Sequence, residues 1–357
     1  MKRVRVAALL LAAALLATGC AASPAPSATT TDAASPTSTV ASDAVDALSL
    51  TGPVEAETIP DMQPVITDAA PQLPATVTDA DGTKVTVTTA DRVIALDLYG
   101  TLTDTVIGLG LQDRLVGRAM SDTQKALADL PVVSRDGIDL NVEAVLDLHP
   151  DLVLTNITIG SAASYRQLEA AGVTVMRFAQ VPHLDGIADA IAQVGATFGV
   201  ADAAQQLIDH TTAALDDARS QIAQLKAATT RAPRTVVLYV RGTGGIFFIM
   251  GSDYGASDLI EALGLEDAAG TNGITSLKPA NAEALVTLDP EIILAMTNGI
   301  ESAGGVDAFL KRPGVSATTA GQNKRLVTAA DSQLLSYGPR TPQNLVALAE
   351  AIYTAAS

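Results

Sequence analysis

The sequence predicts an α/β fold in which two similar lobes are joined by a long helix, and three observations support this. Apolar runs typical of buried strands alternate with amphipathic helical segments, a pattern that favours mostly parallel sheets flanked by helices. Part of this pattern is repeated, because residues 141–154 align with residues 281–294 without a gap. Between the repeats, residues 201–225 have helical periodicity, and such a helix would be about 37 Å long.

The first lobe begins with a hairpin. Thr76–Thr78 and Lys84–Thr86 flank the dipeptide Asp81-Gly82, which is typical of a tight turn between strands. Residues 92–98 form a near-continuous apolar run, which suits a strand buried on both faces of a parallel sheet. The remaining elements of this lobe are predicted as helix 103–109, helix 141–148, strand 152–155, helix 164–171 and strand 174–178.

The second lobe repeats this order. Besides the longer match, Leu109–Asp113 (LGLQD) aligns with Leu263–Asp267 (LGLED), and two matches in the same order argue against chance. We therefore predict two Rossmann-like lobes, at residues 59–183 with the leading hairpin and at residues 232–357. Residues 184–231 are predicted to be rigid connector helices, and the ligand cleft is expected between the lobes.

The N-terminal residues have the features of a lipoprotein signal peptide. A basic start is followed by an apolar run at residues 6–17, too short to span a bilayer, and then by small residues and Cys20. We expect residues 1–19 to be removed and Cys20 to carry lipid, which would anchor the exported protein to the outer face of the cytoplasmic membrane. An ordinary secretory signal with an incidental cysteine is the alternative. Residues 20–58 are rich in Ala, Ser, Thr and Pro and predict a disordered linker.

The composition excludes several functions. The 357 residues carry a formal net charge of −17, and removal of residues 1–19, with their three basic side chains, would leave −20. Phosphate backbones would repel such a protein, so we expect no nucleic-acid binding. One cysteine and three dispersed histidines form no zinc or iron–sulfur motif. Phosphate-loop, zinc-protease and serine-hydrolase motifs are absent from the sequence, and we predict no enzymatic activity.

Tyr239 and Arg241 are the most specific local signal. They lie two residues apart at the end of a predicted strand and therefore point to one face, where ligands of doubly wound sheets collect. A guanidinium beside a phenol favours the phenolate, and tyrosine is a recognised axial ligand of haem iron. The glycine-rich residues 242–245 that follow predict a loop that lets the backbone approach a ligand. A strand end without a ligand is the alternative interpretation.

From about residue 73 to its end, the chain resembles the substrate-binding lipoproteins of ABC importers for siderophores, cobalamin and haem, and most of all the hemin-binding lipoproteins of actinobacteria. The resemblance rests on LDLYGTLTDT (96–105), LGLQDRLVGR (109–118), LPVVSRDG (130–137), YVRGT (239–243), GASDLI (255–260) and LLSYGPRTP (334–342). It implies a monomeric receptor that has no intrinsic cofactor and that carries haem, or another ferric chelate, as its transported ligand.

The resemblance also implies roles for individual residues. Tyr239 would be an axial ligand of the haem iron, and Arg241 would be its hydrogen-bonding partner. Arg118 and Arg340 would pair with carboxylates of the haem propionates or of a ferric siderophore.

Two glutamates at matching places of the two lobes are predicted to bind the transporter. The resemblance implies that Glu143 and Glu283 pair with arginines of an ABC permease dimer, which works with its ATPase. Solvated residues in the first turn of a helix, stabilised by the helix dipole, are the alternative.

One position departs from the related haem binders, which commonly carry a histidine as the opposite axial ligand. This sequence has Ile138 there, and isoleucine cannot bind iron. Tyr99 or His183 would then approach the iron, or Tyr239 would bind haem alone. Otherwise the ligand is a ferric siderophore or a corrinoid, or the protein has kept the fold without the ligand.

Overall fold

A computed structural model of the protein describes residues 44–135, 138–243 and 245–355. The predicted signal peptide, Cys20 and the linker as far as residue 43 lie outside the described residues. The strands are β1 (Val54–Glu55), β2 (Ala75–Thr78), β3 (Lys84–Val87), β4 (Val93–Leu96), β5 (Leu115–Gly117), β6 (Ser134–Arg135), β7 (Asp139–Leu140), β8 (Leu152–Thr155), β9 (Thr174–Arg177), β10 (Arg234–Arg241), β11 (Ile246–Ile249), β12 (Glu266–Asp267), β13 (Lys278–Pro279), β14 (Ile292–Met296) and β15 (Leu326–Ala329). The α-helices are α1 (Thr101–Gly108), α2 (Val142–Asp147), α3 (Ala162–Ala170), α4 (Ile187–Thr197), α5 (Ala201–Leu225), α6 (Ala256–Ala262), α7 (Ala268–Thr271), α8 (Ala282–Leu288), α9 (Thr297–Ser302), α10 (Val306–Leu310), α11 (Thr319–Gln322), α12 (Asp331–Leu334) and α13 (Thr341–Tyr353).

The first lobe is built on a parallel four-stranded sheet in the order β5-β4-β8-β9. Every residue of β4 and β8 is buried, as the continuous apolar runs predict for strands covered on both faces. The predicted hairpin forms as the antiparallel pair β2–β3. Since parallel strands all end at the same edge, the loops after β4, β8 and β9 meet there.

The second lobe contains a seven-stranded sheet in the order β1-β15-β14-β10-β11-β13, with β12 beside β10. Strands β1, β15, β14 and β10 are parallel to one another. Strand β11 runs antiparallel to β10, so the start of β11 lies beside the end of β10. The end of β10, which carries Tyr239 and Arg241, therefore lies at the carboxyl edge of this sheet.

The repeated segments have the same local structure. The side chains of Asn141 and Asn281 accept hydrogen bonds from the third backbone N–H after them and begin α2 and α8. Both segments then turn through a residue in the left-handed region, His149 (φ 47°) and Asp289 (φ 37°), before a proline leads into the next strand. The alignment of these segments in the sequence thus reflects one helix–proline–strand unit in each lobe.

The long connector helix is α5, with the bounds that the periodicity predicted. Its buried residues recur every three or four positions, which gives one apolar stripe along the helix; they are Ala203, Ala204, Leu207, Thr211, Leu215, Ala218, Ile222 and Leu225. The helix packs against α4 and against α13 of the second lobe. Within the described ranges, no helix is both long and apolar enough to cross a membrane.

The disordered linker predicted for residues 20–58 does not extend to residue 58. Val54 and Glu55 form β1, which pairs in parallel with β15 of the second lobe. Asp46 caps a short 3₁₀ helix at Ala47–Ser49, and Ala44 forms a bridge with Thr354. The prediction of disorder is therefore wrong for residues 44–58. These residues are ordered by contacts with β15 and Thr354, which lie far along the chain and which local composition does not reveal.

Candidate ligand-binding cleft

A cavity of about 580 Å³ lies between the two lobes. The first lobe contributes the loops that follow β4, β8 and β9, and the second contributes residues next to β11 and α12. Aromatic rings from both lobes form much of its apolar wall, namely Tyr99, Phe178, Tyr254 and Tyr337. A volume between roughly 300 and 1,000 Å³ is typical of sites for small molecules and cofactors.

The polar lining of this cavity is acidic. Four carboxylates and six neutral threonine and amide side chains line it, namely Asp97, Asp185, Asp189, Asp253, Thr101, Thr105, Asn156, Thr158, Gln180 and Gln193. Among the described residues, the lining contains His183 but no lysine or arginine. Burial raises the pKa of Asp97 to about 6, although the hydrogen bonds that its carboxylate accepts from backbone N–H groups lower this pKa. The cavity therefore favours neutral or cationic parts of a ligand over anionic ones.

Tyr99 and His183 both lie in the cavity wall, as the predicted ligand-facing roles require. Burial is the main reason that the pKa of Tyr99 is raised to about 12; Tyr239 and Asp331 raise it further, and Arg241 opposes them. His183 is half-exposed, and its Nδ1 lies 3.8 Å from Oδ1 of Asp258. Tyr99 is thus a neutral hydrogen-bond donor at physiological pH.

Tyr239 and Arg241 lie at the end of β10 and are both half-buried, with the buried Val240 between them on the opposite face. Cζ of Arg241 lies 5.0 Å from the centroid of the Tyr239 ring, which is cation–π geometry. The guanidinium donates hydrogen bonds to Asp331 and to the carbonyl oxygen of Val240. Arg241 therefore lies over the face of the Tyr239 ring. The resemblance implies a hydrogen bond from Arg241 to the phenol oxygen of Tyr239, but within the described residues the guanidinium donates to other groups.

Tyr99 and Tyr239 pack against the same hydrophobic cluster. The charges of Tyr239, Arg241 and Asp331 all act on the pKa of Tyr99. Tyr99 belongs to the first lobe and the other three to the second. Tyr239 and Arg241 are not among the residues that line the cavity itself. The glycine-rich loop after Arg241 is the turn of the β10–β11 hairpin, in which Gly242 has a φ of 63°.

Arg340 does not face the cavity, contrary to the prediction. Its side chain is 9% exposed, and its Nε donates to Oδ2 of Asp104 in the first lobe over 3.0 Å. Its Nη1 donates to the carbonyl oxygen of Pro60 over 3.1 Å. Burial raises the pKa of Asp104 to about 6, and the charge of Arg340 opposes this rise. Arg340 joins the lobes and is not available to a ligand.

Arg118 folds back on its own loop. Its Nη1 donates to the carbonyl oxygens of Asp122, at 3.0 Å, and Ala119, at 3.4 Å. Its Nε is buried and has no hydrogen-bond partner among the described residues. The guanidinium therefore supports the loop after β5, and the structure does not bring it together with Tyr239.

Glu143 and Glu283 are both exposed and lie in the first turns of α2 and α8, one residue after the first helical position. Each follows an asparagine cap in the repeated helix–proline–strand unit. The two carboxylates thus occupy equivalent surface positions on the two lobes.

Four exposed apolar side chains, here called the aliphatic edge, lie after β5 and β8, in the β6–β7 turn and at the start of β11. Ile138, at the position where the resemblance implies a histidine, is 61% exposed, and Met120 after β5 is 46% exposed. Ile157 follows β8, and Ile246 lies opposite Arg241 in the β10–β11 pair. Exposed apolar side chains are typical of a ligand-binding surface where they form a contiguous patch.

Neither the contact of Asp331 with Arg241 nor the exposure of this aliphatic edge is evident from the sequence. An exposed isoleucine looks like a core isoleucine in a sequence, and Asp331 belongs to no motif. The only sequence signal among these side chains is that Ile157 follows the predicted strand 152–155.

Comparison with known proteins identifies the family. Residues 96–332 match the family model described as periplasmic binding protein. The uncharacterized ABC transporter substrate-binding lipoprotein YvrC of Bacillus subtilis (strain 168) is 27% identical over 278 residues, which cover 77% of this chain and 84% of YvrC. A cobalamin-binding protein of Halobacterium salinarum is 28% identical over 280 residues, covering 77% of this chain and 73% of that protein.

A similar solved structure is that of the heme binding protein HmuT. It is 41% identical, has a TM-score of 0.83, and the match covers 87% of this chain and 99% of HmuT. Structures of HmuT variants with a tyrosine or an arginine replaced by alanine are also known, and these two residues are two positions apart. That spacing is the same as between Tyr239 and Arg241.

The predicted fold is confirmed by these comparisons, as two α/β lobes with a connecting helix. The relative YvrC is named as a substrate-binding lipoprotein of an ABC transporter, and proteins of this class bind a ligand and are not enzymes. Because the family model covers well over half of its residues, this chain belongs to the periplasmic binding protein family.

Proposed function

We propose that this protein is an extracytoplasmic receptor that captures haem between its lobes and delivers it to an ABC importer. The observation that carries the proposal is the position of Tyr239, half-buried at the carboxyl end of β10, with Arg241 over its ring and Tyr99 of the other lobe nearby. This arrangement offers one phenol oxygen to a ligand iron at the junction of the lobes.

Tyr239 is the proposed axial ligand of the haem iron. Tyrosine is a recognised axial ligand of haem, and iron binds its phenolate form. Tyr99, another tyrosine at this junction, has a pKa raised to about 12 and is a hydrogen-bonding wall residue in this proposal. The aliphatic edge, with Ile138 and Met120, would cover the apolar faces of the porphyrin in place of a second ligand.

The acidic cavity supports one orientation of the haem. Since its described lining contains carboxylates and no lysine or arginine, propionate groups would be repelled from it. Arg340 is bound to Asp104, and Arg118 is bound to its own loop. The propionates would therefore face solvent at the mouth of the cleft, and the vinyl edge would face the cavity.

A hemin titration of residues 44–357, followed by absorption, tests this function. We expect a saturable one-to-one spectrum with the charge-transfer band of iron–tyrosinate. Tyr239→Phe should abolish that band, whereas the matched control Tyr99→Phe should keep it. Absence of a saturable spectrum at micromolar hemin would contradict the haem proposal and leave a receptor for another ligand or for none.

A corrinoid is the second candidate ligand. The carboxylates and side-chain amides of the cavity suit a ligand with many amide N–H groups, and a relative is named as a cobalamin-binding protein. The same lining disfavours an anionic ferric siderophore. Calorimetric titration with cyanocobalamin distinguishes the two candidates, since the haem receptor should bind hemin and release no measurable heat with cyanocobalamin.

Glu143 and Glu283 are the proposed contacts with the permease. Both are exposed, and their equivalent positions suit a transporter built of two like subunits. Changing both to Lys should abolish hemin import by cells while leaving hemin binding by the purified protein unchanged. Asp202→Lys is the matched control, because Asp202 is also an exposed acidic residue in the first turn of a helix. Import that survives the double change would overturn this role.

We propose the remaining layout from sequence alone. Residues 1–19 would be a signal peptide, Cys20 would carry the lipid anchor, and residues 20–43 would be the linker to a monomeric receptor. Residues 59–183, 184–231 and 232–357 would be the first lobe, connector and second lobe. The relative YvrC is named as a lipoprotein. Cys20→Ala should move the protein from the membrane fraction to the soluble fraction, and unchanged membrane association would contradict the anchor.

A further inference from the structure

Residues 54–66 cross from the second lobe to the first and are here called the N-terminal strap. At its start, β1 pairs with β15, and the backbone N–H of Ala56 donates to the carbonyl oxygen of Thr328 over 2.7 Å. Further along, the carbonyl oxygen of Pro60 accepts from Nη1 of Arg340 over 3.1 Å. The first part of the strap is therefore fixed to the second lobe.

The next residues of the strap are fixed to the first lobe, at the loop after β5. Oδ2 of Asp61 accepts from the backbone N–H of Lys125 over 2.7 Å. The backbone N–H of Met62 donates to Oε1 of Gln124 over 2.6 Å. Because Pro60 and Asp61 are consecutive, the strap has no spare residue between its contacts with the two lobes.

The far end of the strap lies directly against α1 of the first lobe. The backbone N–H groups of Val65 and Ile66 both donate to the carbonyl oxygen of Gly108. A Cβ at Gly108 would lie 2.8 Å from Cε of Met62, and a Cβ at Gly110 would lie 2.1 Å from the carbonyl oxygen of Ile66. Glycine at both positions thus leaves room for the strap, which is fitted to the first lobe as closely as to the second.

We propose that the N-terminal strap sets the width of the cleft by holding the two lobes at a fixed spacing. Two bodies joined only by the connector helices could hinge about that connection, and a second connection without spare length restricts the rotation. Arg340 reinforces the restriction, since it binds both Pro60 of the strap and Asp104 of the first lobe. The strap therefore limits the size of ligand that the 580 Å³ cavity admits. This restriction applies to any ligand of the cleft and does not depend on haem binding.

Inserting Gly-Ser-Gly-Ser between Pro60 and Asp61 tests the proposal, because it adds length while both ends of the strap keep their contacts. Cys20 is the only cysteine of the chain, so in Cys20→Ala the exposed changes Gln167→Cys on α3 and Ala308→Cys on α10 give one spin label on each lobe. We expect electron–electron double resonance of the ligand-free protein to give a broader distribution of label distances with the insertion. The added spread should stay within the ~13 Å that four extended residues can span.

Two comparisons control this experiment. The same insertion between Asp81 and Gly82, in the turn that joins β2 and β3 within one lobe, should leave the distribution unchanged. Because Arg340 also joins the lobes, the strap insertion is measured both alone and together with Arg340→Met and Asp104→Leu, where the distribution should be broadest. A distribution that the strap insertion leaves as narrow as before in both backgrounds would overturn the proposal.

Hydrogen exchange of the unaltered protein tests the strap even if the insertion prevents folding. The backbone N–H groups of Met62 and Lys125 take part in the contacts between the strap and the first lobe. Both should exchange as slowly as those of the buried strand β4, since their release requires the strap to leave the first lobe. Exchange as fast as in an unstructured peptide would show that the strap does not hold the lobes and would refute the proposal.

Discussion

Arg241 and Arg340 both belong to the second lobe, and each is paired with one carboxylate, but the two pairs differ in burial and in what they join. The side chains of Arg241 and Asp331 are 29% and 28% exposed, and both belong to the second lobe. Those of Arg340 and Asp104 are 9% and 1% exposed, and their contact crosses from one lobe to the other. Arg241 can therefore leave its carboxylate partner and contact a ligand, whereas Arg340 has a structural role in holding the two lobes together.

The hydrogen bonds around the buried pair reinforce this difference. Asp104 also accepts from Nε2 of Gln124 over 2.7 Å, and Oε1 of Gln124 accepts from the backbone N–H of Met62. Arg340 also donates to the carbonyl oxygen of Pro60. If Arg340 turned toward the cavity, it would leave a buried carboxylate without its counter-charge, which costs far more than the loss of a surface pair.

The largest effect that we predict is on stability. Arg340→Met should lower the free energy of unfolding of the ligand-free protein by about 3–5 kcal/mol, because it leaves the Asp104 charge buried and unpaired. Arg241→Met should lower it by no more than about 1 kcal/mol, as for other partly exposed pairs. Urea denaturation measures both values.

The double variant Arg340→Met with Asp104→Leu is the control for this prediction. Replacing both charges by apolar side chains removes the unpaired carboxylate, so much of the lost stability should return. Equal losses for Arg340→Met and Arg241→Met would contradict the contrast between the two pairs.

The second predicted effect is that the penalty of Arg340→Met depends on pH. The pKa of Asp104 in the folded protein is raised to about 6, above its value near 3.9 in an unfolded chain, so protonation of Asp104 favours the folded state. Without Arg340 this pKa rises further, and the variant gains more stability from acid than the wild type does. The penalty should therefore be smaller at pH 5 than at pH 7.5.

Denaturation of both proteins at these two pH values checks this prediction. The penalty of Arg241→Met serves as the comparison and should change less. A penalty of Arg340→Met that grows as the pH falls would show that Asp104 stays ionised.

The smallest predicted effect is on the response to salt. A double-mutant cycle between Arg241 and Asp331 should give a coupling of about 1 kcal/mol or less at low salt. In 1 M NaCl, where the Debye length is about 3 Å, that coupling should approach zero, because the pair is partly exposed. The coupling between Arg340 and Asp104 should remain. Loss of both couplings in salt would mean that water reaches the buried pair.

The sequence predicted the elements whose signals are local. Strand β8 and helix α5 have the predicted bounds, because the apolar run and the helical periodicity that predict them lie entirely within the residues of each element. The common face of Tyr239 and Arg241 follows from strand geometry alone.

The partners of the arginines were not predictable in this way. Asp104 lies 236 positions from Arg340, and Asp331 lies 90 positions from Arg241. The motif around Arg340 resembles that of haem binders, but it does not indicate whether the guanidinium binds a ligand or a carboxylate of the protein. Only the contact of Arg340, at the start of α13, with Asp104 of α1 decides between the two.

The short strand β1 has a practical consequence for how this protein is produced. It covers one edge of β15, whose four residues are all buried, and it is formed by residues that precede the first lobe in the sequence. A protein shortened to begin at residue 59 would leave that edge without a partner. Bare strand edges recruit strands from neighbouring molecules, so the shortened protein should aggregate during purification, whereas one that begins at residue 44 keeps its own cover.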